Sequence, residues 1–457
     1  MPISFCTVLV LASASALGTP PSPGGTPPES TTSADTRVDR SKITTLPAPS
    51  VSTVSDLVRT DPPTPIHRIA ASAAHVPTSE ATYLKARTAM ERGLAYLARV
   101  QSSDGAFFVG KEVTPTDMEP RKRAASVAVT ALAVKAFAQA GALEGDAGSR
   151  ARAAIMRTLS DEKSLALVTN GGIGNYVMSA VASGLAAAGD ADAKRGAARA
   201  IEWLRTNQWD EGEGLDPTTD WYGGAGYGNG KRPDLSNTQM MVEAMHDAGV
   251  SPDDPAMQRA LAFIARTQNR KASNPAAWAQ HGSGDGGFVY SPANGGESFA
   301  SEDAGEGRYG EKLASKSLRS YGSMTYAGFK SMLYAGLSPD DPRVKDALGW
   351  ISRHFTFAEN PGLGQQGYFY YVHAMSRALH ASRRGTIVDP TGHARDWRTE
   401  LVDAIVAQQR DDGSVAGASA GFWKNDTPRW EESNEDLVTI YCVLALQEAI
   451  KPHVTTE

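Results

Sequence analysis

Apolar residues recur along this chain with a helical period, in two alternating classes of segment. Arg92 to Phe107, RGLAYLARVQSSDGAF, typifies the first class. Leu94, Leu97 and Gln101 fall at i, i+3 and i+7, on one face of a helix. Ser102 to Gly105 then ends the helix with turn residues. The pattern returns in Arg199–Gly212 (Trp203, Leu204, Gln208) and in Arg259–Gln268 (Phe263, Ile264, Gln268), the latter followed by GDGGF at Gly284–Phe288. Glu400–Gly413 is a weaker copy with Gln409, and Lys345–Phe355 keeps Trp350 and Ile351 without the Gln. A fixed unit repeated down a chain signals a stacked array.

The second class lies between these copies: Ala124–Ala140, Asn175–Ala188, Ser236–Ala248, Ser323–Ala335, Gln366–His380 and Asn434–Ile450. Its members are apolar almost all round, which predicts burial, whereas the first class keeps one charged face for water. Half-wet and buried helices in alternation predict two concentric layers. With one degenerate outer helix near Arg150–Leu159, there are about six pairs, enough to close an all-α (α/α)6 toroid.

Turn residues sharpen the boundaries. Ser251–Pro255 and Ser338–Pro342 are near-identical SPDDP connectors, whose last Pro suits a first helical turn. Gly249 and Gly336 are placed to end the preceding buried helices. The loops Trp209–Pro233 and Asn269–Tyr321 exceed what a connector needs and are expected at the mouth of the barrel, where inner helices begin. Trp221 and Tyr222 in the first are candidate ligand contacts.

Composition adds an N-terminal preamble. Ile3–Leu11 is apolar and Ala14-Ser15-Ala16 is a small-residue cleavage pattern, so residues 1–16 are expected to be an export signal, without its usual basic start. Residues 17–79 are rich in Pro, Ser and Thr and are expected to be a disordered tether. Residues 80–457 form the repeat domain, with Ser79 placed to cap its first helix. Mean hydropathy is −0.32 and no run of about twenty apolar residues predicts a transmembrane helix. The net charge of −6 is scattered and gives no sign of nucleic-acid binding. Without Cys6, lost with the signal, Cys442 stands alone and no disulfide is expected.

The repeat resembles the QW repeat of the squalene–hopene and oxidosqualene cyclases, and more distantly that of the prenyltransferase β subunits, from about Tyr83 to Ile450. The resemblance implies that Gln and a closing aromatic (Phe107, Phe288; Val415 in the last copy) tie each outer helix to the next inner one. It also implies a central cavity for an isoprenoid. Those cyclases begin an inner helix with D-x-D-D-T, whose central Asp protonates the substrate. The matching stretch here is Asp234-Leu235-Ser236-Asn237-Thr238. Asp234 and the Thr remain, but Ser236 and Asn237 stand at the acid positions, and neither is a strong proton donor. Asp234 or Ser236 serves equally as a helix cap. Cys442 has no Asp-x-Cys setting for zinc, and GLGQQ at Gly362–Gln366 lacks the Cys of a thioester, so no cofactor or metal is expected.

Other candidates gather where inner helices start. Tyr321–Tyr326, Tyr370 and Tyr371 with His373, and Asn434 with Glu435 and Asp436 would face one another across a shared mouth. Aromatic faces there would stabilise a cation, and Glu435 or Asp436, in apolar surroundings, would replace the missing acid. Asn237, Tyr326, Tyr370 and Tyr371 are candidate ligand contacts. Each has a plainer reading too: packed tyrosines, a core histidine, and acids favouring a helix dipole. The loop acids Asp210, Glu211, Glu213, Asp216 and Asp220 miss the spacing of a calcium loop. Three function classes remain open: a terpene cyclase-like protein with an apolar ligand, a non-catalytic toroid binding lipid, glycan or protein, and a polysaccharide lyase or glycosidase. Lyases want basic residues, for which Arg308, Lys312 and Lys330 are near in sequence. Oligomeric state is open.

Overall fold

The computed structural model describes residues 43–45, 78–109, 118–228, 230–300, 317–415 and 418–452. The chain divides into the units Met1–Arg37 and Val38–Glu457. The expected signal and most of the expected tether lie outside the described residues. One part of the tether is placed, however, and it is docked. Thr45 bridges Thr219, Thr44 N donates to Asp220 Oδ1 at 3.0 Å, and Ile43 packs on the Trp209–Trp221 cluster.

Within Val38–Glu457 the described residues hold fourteen α-helices. The six outer helices are α1 (Glu80–Val100), α3 (Asp146–Ser160), α6 (Ala191–Thr206), α8 (Pro255–Thr267), α11 (Pro342–His354) and α13 (Trp397–Ala407). The six inner helices are α2 (Pro120–Gln139), α5 (Gly174–Ala188), α7 (Leu235–Asp247), α10 (Gly322–Tyr334), α12 (Tyr368–Ala381) and α14 (Glu435–Ile450). Two short helices, α4 (Glu162–Thr169) and α9 (Ala277–His281), were not foreshadowed by the repeat. Each inner helix packs on the next, α2 on α5, α7, α10, α12 and α14 in turn, and α14 packs back on α2. The ring is closed: an all-α (α/α)6 toroid.

Caps follow local chemistry. Ser79 Oγ accepts from Thr82 N to start α1, and Asp254 and Asp341 cap α8 and α11 just before Pro255 and Pro342. Three antiparallel hairpins decorate the loops: β1–β2 (Ala225–Gly226 with Pro233–Asp234), β3–β4 (Thr386–Val388 with Ala394–Asp396) and β5–β6 (Arg410–Val415 with Ala418–Phe422).

The repeated Gln has one job, and it differs from the expected tie to an inner helix. Gln101, Gln208 and Gln268 each donate twice at 2.9–3.0 Å, to a turn glycine carbonyl and to a first-turn carbonyl of the next outer helix (Ala147, Ala256, Arg343). Gln409 donates to Ala89 O of α1 at 2.9 Å, so the sixth unit grips the first. The tie to the inner helix is made instead by a backbone amide. Phe107, Ala225, Phe288 and Trp423 donate their N–H to Thr130, Thr238, Thr325 and Thr439 at 2.9–3.1 Å. In the last unit that place belongs to Trp423, not Val415, because the β5–β6 hairpin is inserted between Gln409 and the tie.

Candidate functional site

All six inner helices contribute their first turns to one central cavity of about 350 Å³. Ala125, Val129 and Leu132 of α2, Met324 of α10 and Leu437 of α14 make an aliphatic wall. Tyrosines face it: Tyr176 of α5, Tyr370 of α12 and Tyr441 of α14, with Tyr321 at the cap of α10. The two long loops add Tyr227, Tyr290 and Phe299, so both do reach the mouth. Among the described lining residues, the charged ones are Glu119, Arg121, Lys122 and Glu431, all exposed at the rim.

Trp430 closes one side of the mouth in an unusual backbone. It and Glu431 have φ of 56° and 63°, the left-handed region that bulky residues avoid. Arg429 lies 4.4 Å from the Trp430 ring and 5.2 Å from Phe299, whose centroids are themselves 5.6 Å apart, so the guanidinium caps a pair of touching aromatic rings. Next in sequence, Glu432 is fully buried and accepts from Tyr370 N at 2.7 Å, Phe369 N at 3.3 Å and Asn425 Nδ2 at 2.6 Å. It caps α12, whose own start at Gly367 has no side-chain cap. Burial pushes its carboxyl up to about 7, against those hydrogen bonds.

Asp234 is buried behind the wall, at the N-cap of α7. It accepts from Asn237 N and Nδ2, both at 2.8 Å. Burial raises its carboxyl to about 6, opposed by bonds from Asn237 and Tyr290 and by the Arg232 charge. Asn175 of α5 in turn donates to Asn237 O at 2.9 Å, so Asp234 and Asn237 lock α7 to α5 rather than line the cavity. Ser236, between them, does line it.

The other candidates separate. Tyr370 reaches the cavity. Tyr326 and Tyr371 meet edge to face at 5.6 Å, away from the cavity lining, and Tyr371 Oη donates to Thr356 O. His373 stacks at 5.2 Å on Tyr441, just behind the wall, and burial pushes its imidazole down to about 3, leaving it neutral. Glu435 and Asp436 are drawn outward. Tyr96 Oη of α1 donates to Asp436 at 3.0 Å, and Lys424 pairs with Glu435 at 3.1 Å. Neither lines the cavity, which removes the first-turn acids as donors into it. Trp221 and Tyr222 belong to a separate cluster with Trp209 and Leu215, bonded to Asn294 and Glu211. Among the described residues, no group of three or more His, Cys, Asp or Glu is placed to hold a metal.

Beyond the cavity, in the second halves of the inner helices, lies a buried ion cluster. Lys330 and Lys135 pair with Glu243, Lys135 also with Asp247 at 2.7 Å, and Arg377 with Asp247 at 2.6 Å and Glu448 at 2.8 Å. Lys330, one of the positive charges a lyase would want for its acidic substrate, is therefore committed here. Burial alone would raise Asp247 and Glu448; Arg377 instead holds each down to about 2, with Lys135 and Lys451 assisting.

No known family model matches the chain, and no curated protein matches its sequence. Solved structures match in shape. An inactive variant of an α-1,6-mannanase of Salegentibacter sp. HEL1_6, in complex with α-1,6-mannotriose, is 11% identical, with 81% of this chain and 99% of that chain covered and a TM-score of 0.47. An unsaturated glucuronyl hydrolase mutant from Streptococcus agalactiae is 12% identical over 86% and 96%, with a TM-score of 0.43. The type II terpene cyclase from Scytonema is 13% identical over 80% and 98%, with a TM-score of 0.29. No helix among the described residues is long and apolar enough to cross a membrane.

Proposed function

We propose that the ring holds one small, largely apolar molecule of isoprenoid type in its central cavity. The carrying observation is the lining. Six inner helices present aliphatic and aromatic side chains to a space of about 350 Å³, within the usual range for ligand pockets, and the described carboxylates lie only at the rim. Acid-initiated cyclisation would need a donor in the wall. The two carboxyls raised toward neutrality beside it, Asp234 and Glu432, both stand outside the lining: Asp234 is held by Asn237 and Tyr290, and Glu432 by the first amides of α12. The reading is therefore binding first, with cyclase-like chemistry its enzymatic extension, and with the export expected from the leader as its setting.

A second reading stands on equal footing: glycoside cleavage at the mouth. Its specific support is the pair Glu119 and Glu431, two exposed carboxylates brought to one rim from distant parts of the chain, beside the ring of Trp430. Glycosidases flank the scissile bond with two such groups. One experiment separates the two. The protein is incubated in parallel with farnesol, geranylgeraniol and a panel of neutral and acidic oligosaccharides, then analysed by native mass spectrometry and product chromatography. A one-to-one isoprenoid complex with intact sugars supports the first reading. Sugar cleavage lost in Glu119→Gln or Glu431→Gln replaces it with the second.

A further inference from the structure

Three hydroxyls on the cavity wall form a connected set. Tyr176 Oη and Ser236 Oγ are 2.6 Å apart, and Ser236 Oγ and Tyr370 Oη 3.1 Å. They come from α5, α7 and α12, and all three line the cavity. Behind them the direction of hydrogen bonding is fixed. Lys330 Nζ has hydrogens to give and nothing with which to accept. It lies 2.7 Å from Gln239, so the amide must turn its oxygen to the ammonium. The Gln239 Nε2 is thereby left to donate to Tyr370 Oη, at 3.0 Å. The ion pair of Lys330 with Glu243 holds that ammonium in place.

Counting hydrogens gives the consequence. Three hydroxyls carry three hydrogens, and they share two contacts. The bond from Gln239 arrives as a donation and uses none of the three. Whichever way the two internal bonds run, one hydroxyl hydrogen is left without an acceptor. Running outward from Gln239, the surplus falls on Tyr176; running inward, it falls on Tyr370. A buried donor without an acceptor costs about 1–3 kcal/mol, so a ligand that supplies one is favoured over a hydrocarbon that cannot.

We infer that Tyr176, Ser236 and Tyr370 form a donor subsite for a single neutral acceptor oxygen, such as a ketone, ether, epoxide or alcohol oxygen, on an otherwise apolar ligand. Neutrality follows from the surroundings. The buried members of the cluster behind Gln239 match Lys135, Lys330 and Arg377 against Glu243, Asp247 and Glu448, and the further cation, Lys451, is half exposed to water 3.6 Å from Glu448, so the cluster offers little net positive charge to an anion. The nearby Asp234 would repel one. Burial also lifts the Tyr370 and Tyr176 hydroxyls above their ordinary value, which keeps them protonated as donors.

This subsite rests on the isoprenoid-type reading of the cavity, and one experiment tests the two apart. Equilibrium dialysis compares geranylacetone with the hydrocarbon of the same skeleton, in the native protein and in the triple variant Tyr176→Phe/Ser236→Ala/Tyr370→Phe. The expected result is a ketone-to-hydrocarbon affinity ratio about tenfold higher in the native protein than in the variant, whose apolar wall leaves the carbonyl unpaired and favours the hydrocarbon. Infrared absorption of the bound ketone in the native protein gives a second readout that does not need the variant: its carbonyl stretch should fall below the value in hexane. An affinity ratio that is the same in the native protein and the variant, or an unshifted carbonyl, overturns the subsite and leaves the cavity reading standing. Binding of neither molecule removes both.

Discussion

Glu432 shows what a single buried carboxylate does in this structure. It closes the start of α12 from a different loop, where Gly367, with φ of 61°, offers no side chain of its own. The folded chain binds this proton more tightly than the unfolded chain. Its contribution to stability is thus full below the ordinary glutamate value of 4.5 and is lost as pH rises through about 7. Glu432→Gln should flatten that slope. Between pH 4.5 and 7 the native protein is expected to lose stability relative to the variant, by up to roughly 3 kcal/mol, measured as urea midpoints across the range. A parallel course of the two curves would show that the proton is not held there. Some fall remains in the variant, since burial raises Asp234 in the same direction. Sequence inspection directs attention to Glu435 and Asp436, because acids in a first turn are a local signal. Glu432 carries no such signal; its role exists only once the loop has folded back on another helix. The same holds for Tyr176, Tyr227, Tyr290 and Tyr441, isolated aromatics in the sequence that share one cavity in space.

At the scale of elements, the chain is joined by a repeated pair of ties, one to the next outer helix through Gln and one to the inner helix through Thr. The Gln positions at 101, 208 and 268 are legible because they keep a constant offset from the apolar face. The last unit is not, because the β5–β6 hairpin displaces its closing residues from Gly413 and Val415 to Gly421 and Trp423. Thr130, Thr238, Thr325 and Thr439 pass unnoticed in sequence, since a Thr inside a buried apolar helix reads as filler. The turn glycine explains why each unit approaches the next outer helix so closely. Gly223 has φ of 83°, and a Cβ there would lie 1.8 Å from Arg259 O of α8. Gly105 and Gly286 make the same approach to Arg150 O and Asp346 O. Gly413 has φ of 78° but nothing within 4 Å. Gly223→Ala should therefore cost roughly 3 kcal/mol or more, adding steric overlap to backbone strain, while Gly413→Ala costs about 1 kcal/mol. Denaturant unfolding of the two variants checks the contrast; equal losses would refute the close approach as its cause.

At the scale of the molecule, the inner helices divide the ring's interior between two kinds of chemistry. Their N-terminal portions line the cavity, and nearer their C-terminal ends they meet in the ion cluster, which links α2, α7, α10, α12 and α14. Such a cluster contributes little net stability over apolar packing, but an unpaired charge in it is costly, so it penalises any slippage of one inner helix against its neighbours. The closed ring was legible from the alternation of wet and dry helices, and the closure itself is made by α14 on α2 and by Gln409 on α1. The lining was not legible, because which face of a wholly buried helix meets the centre leaves no mark on its hydrophobic pattern.

The most direct measurement is calorimetric titration of geranylacetone into the native protein and into Ala128→Trp, at several temperatures. Ala128 lines the cavity on α2, and an indole there would fill much of the space. The account predicts one-site binding with a negative heat-capacity change in the native protein, and loss of binding in a variant that stays folded by circular dichroism. Undiminished binding in the folded variant would contradict it, because the ligand would then lie somewhere other than the centre of the ring.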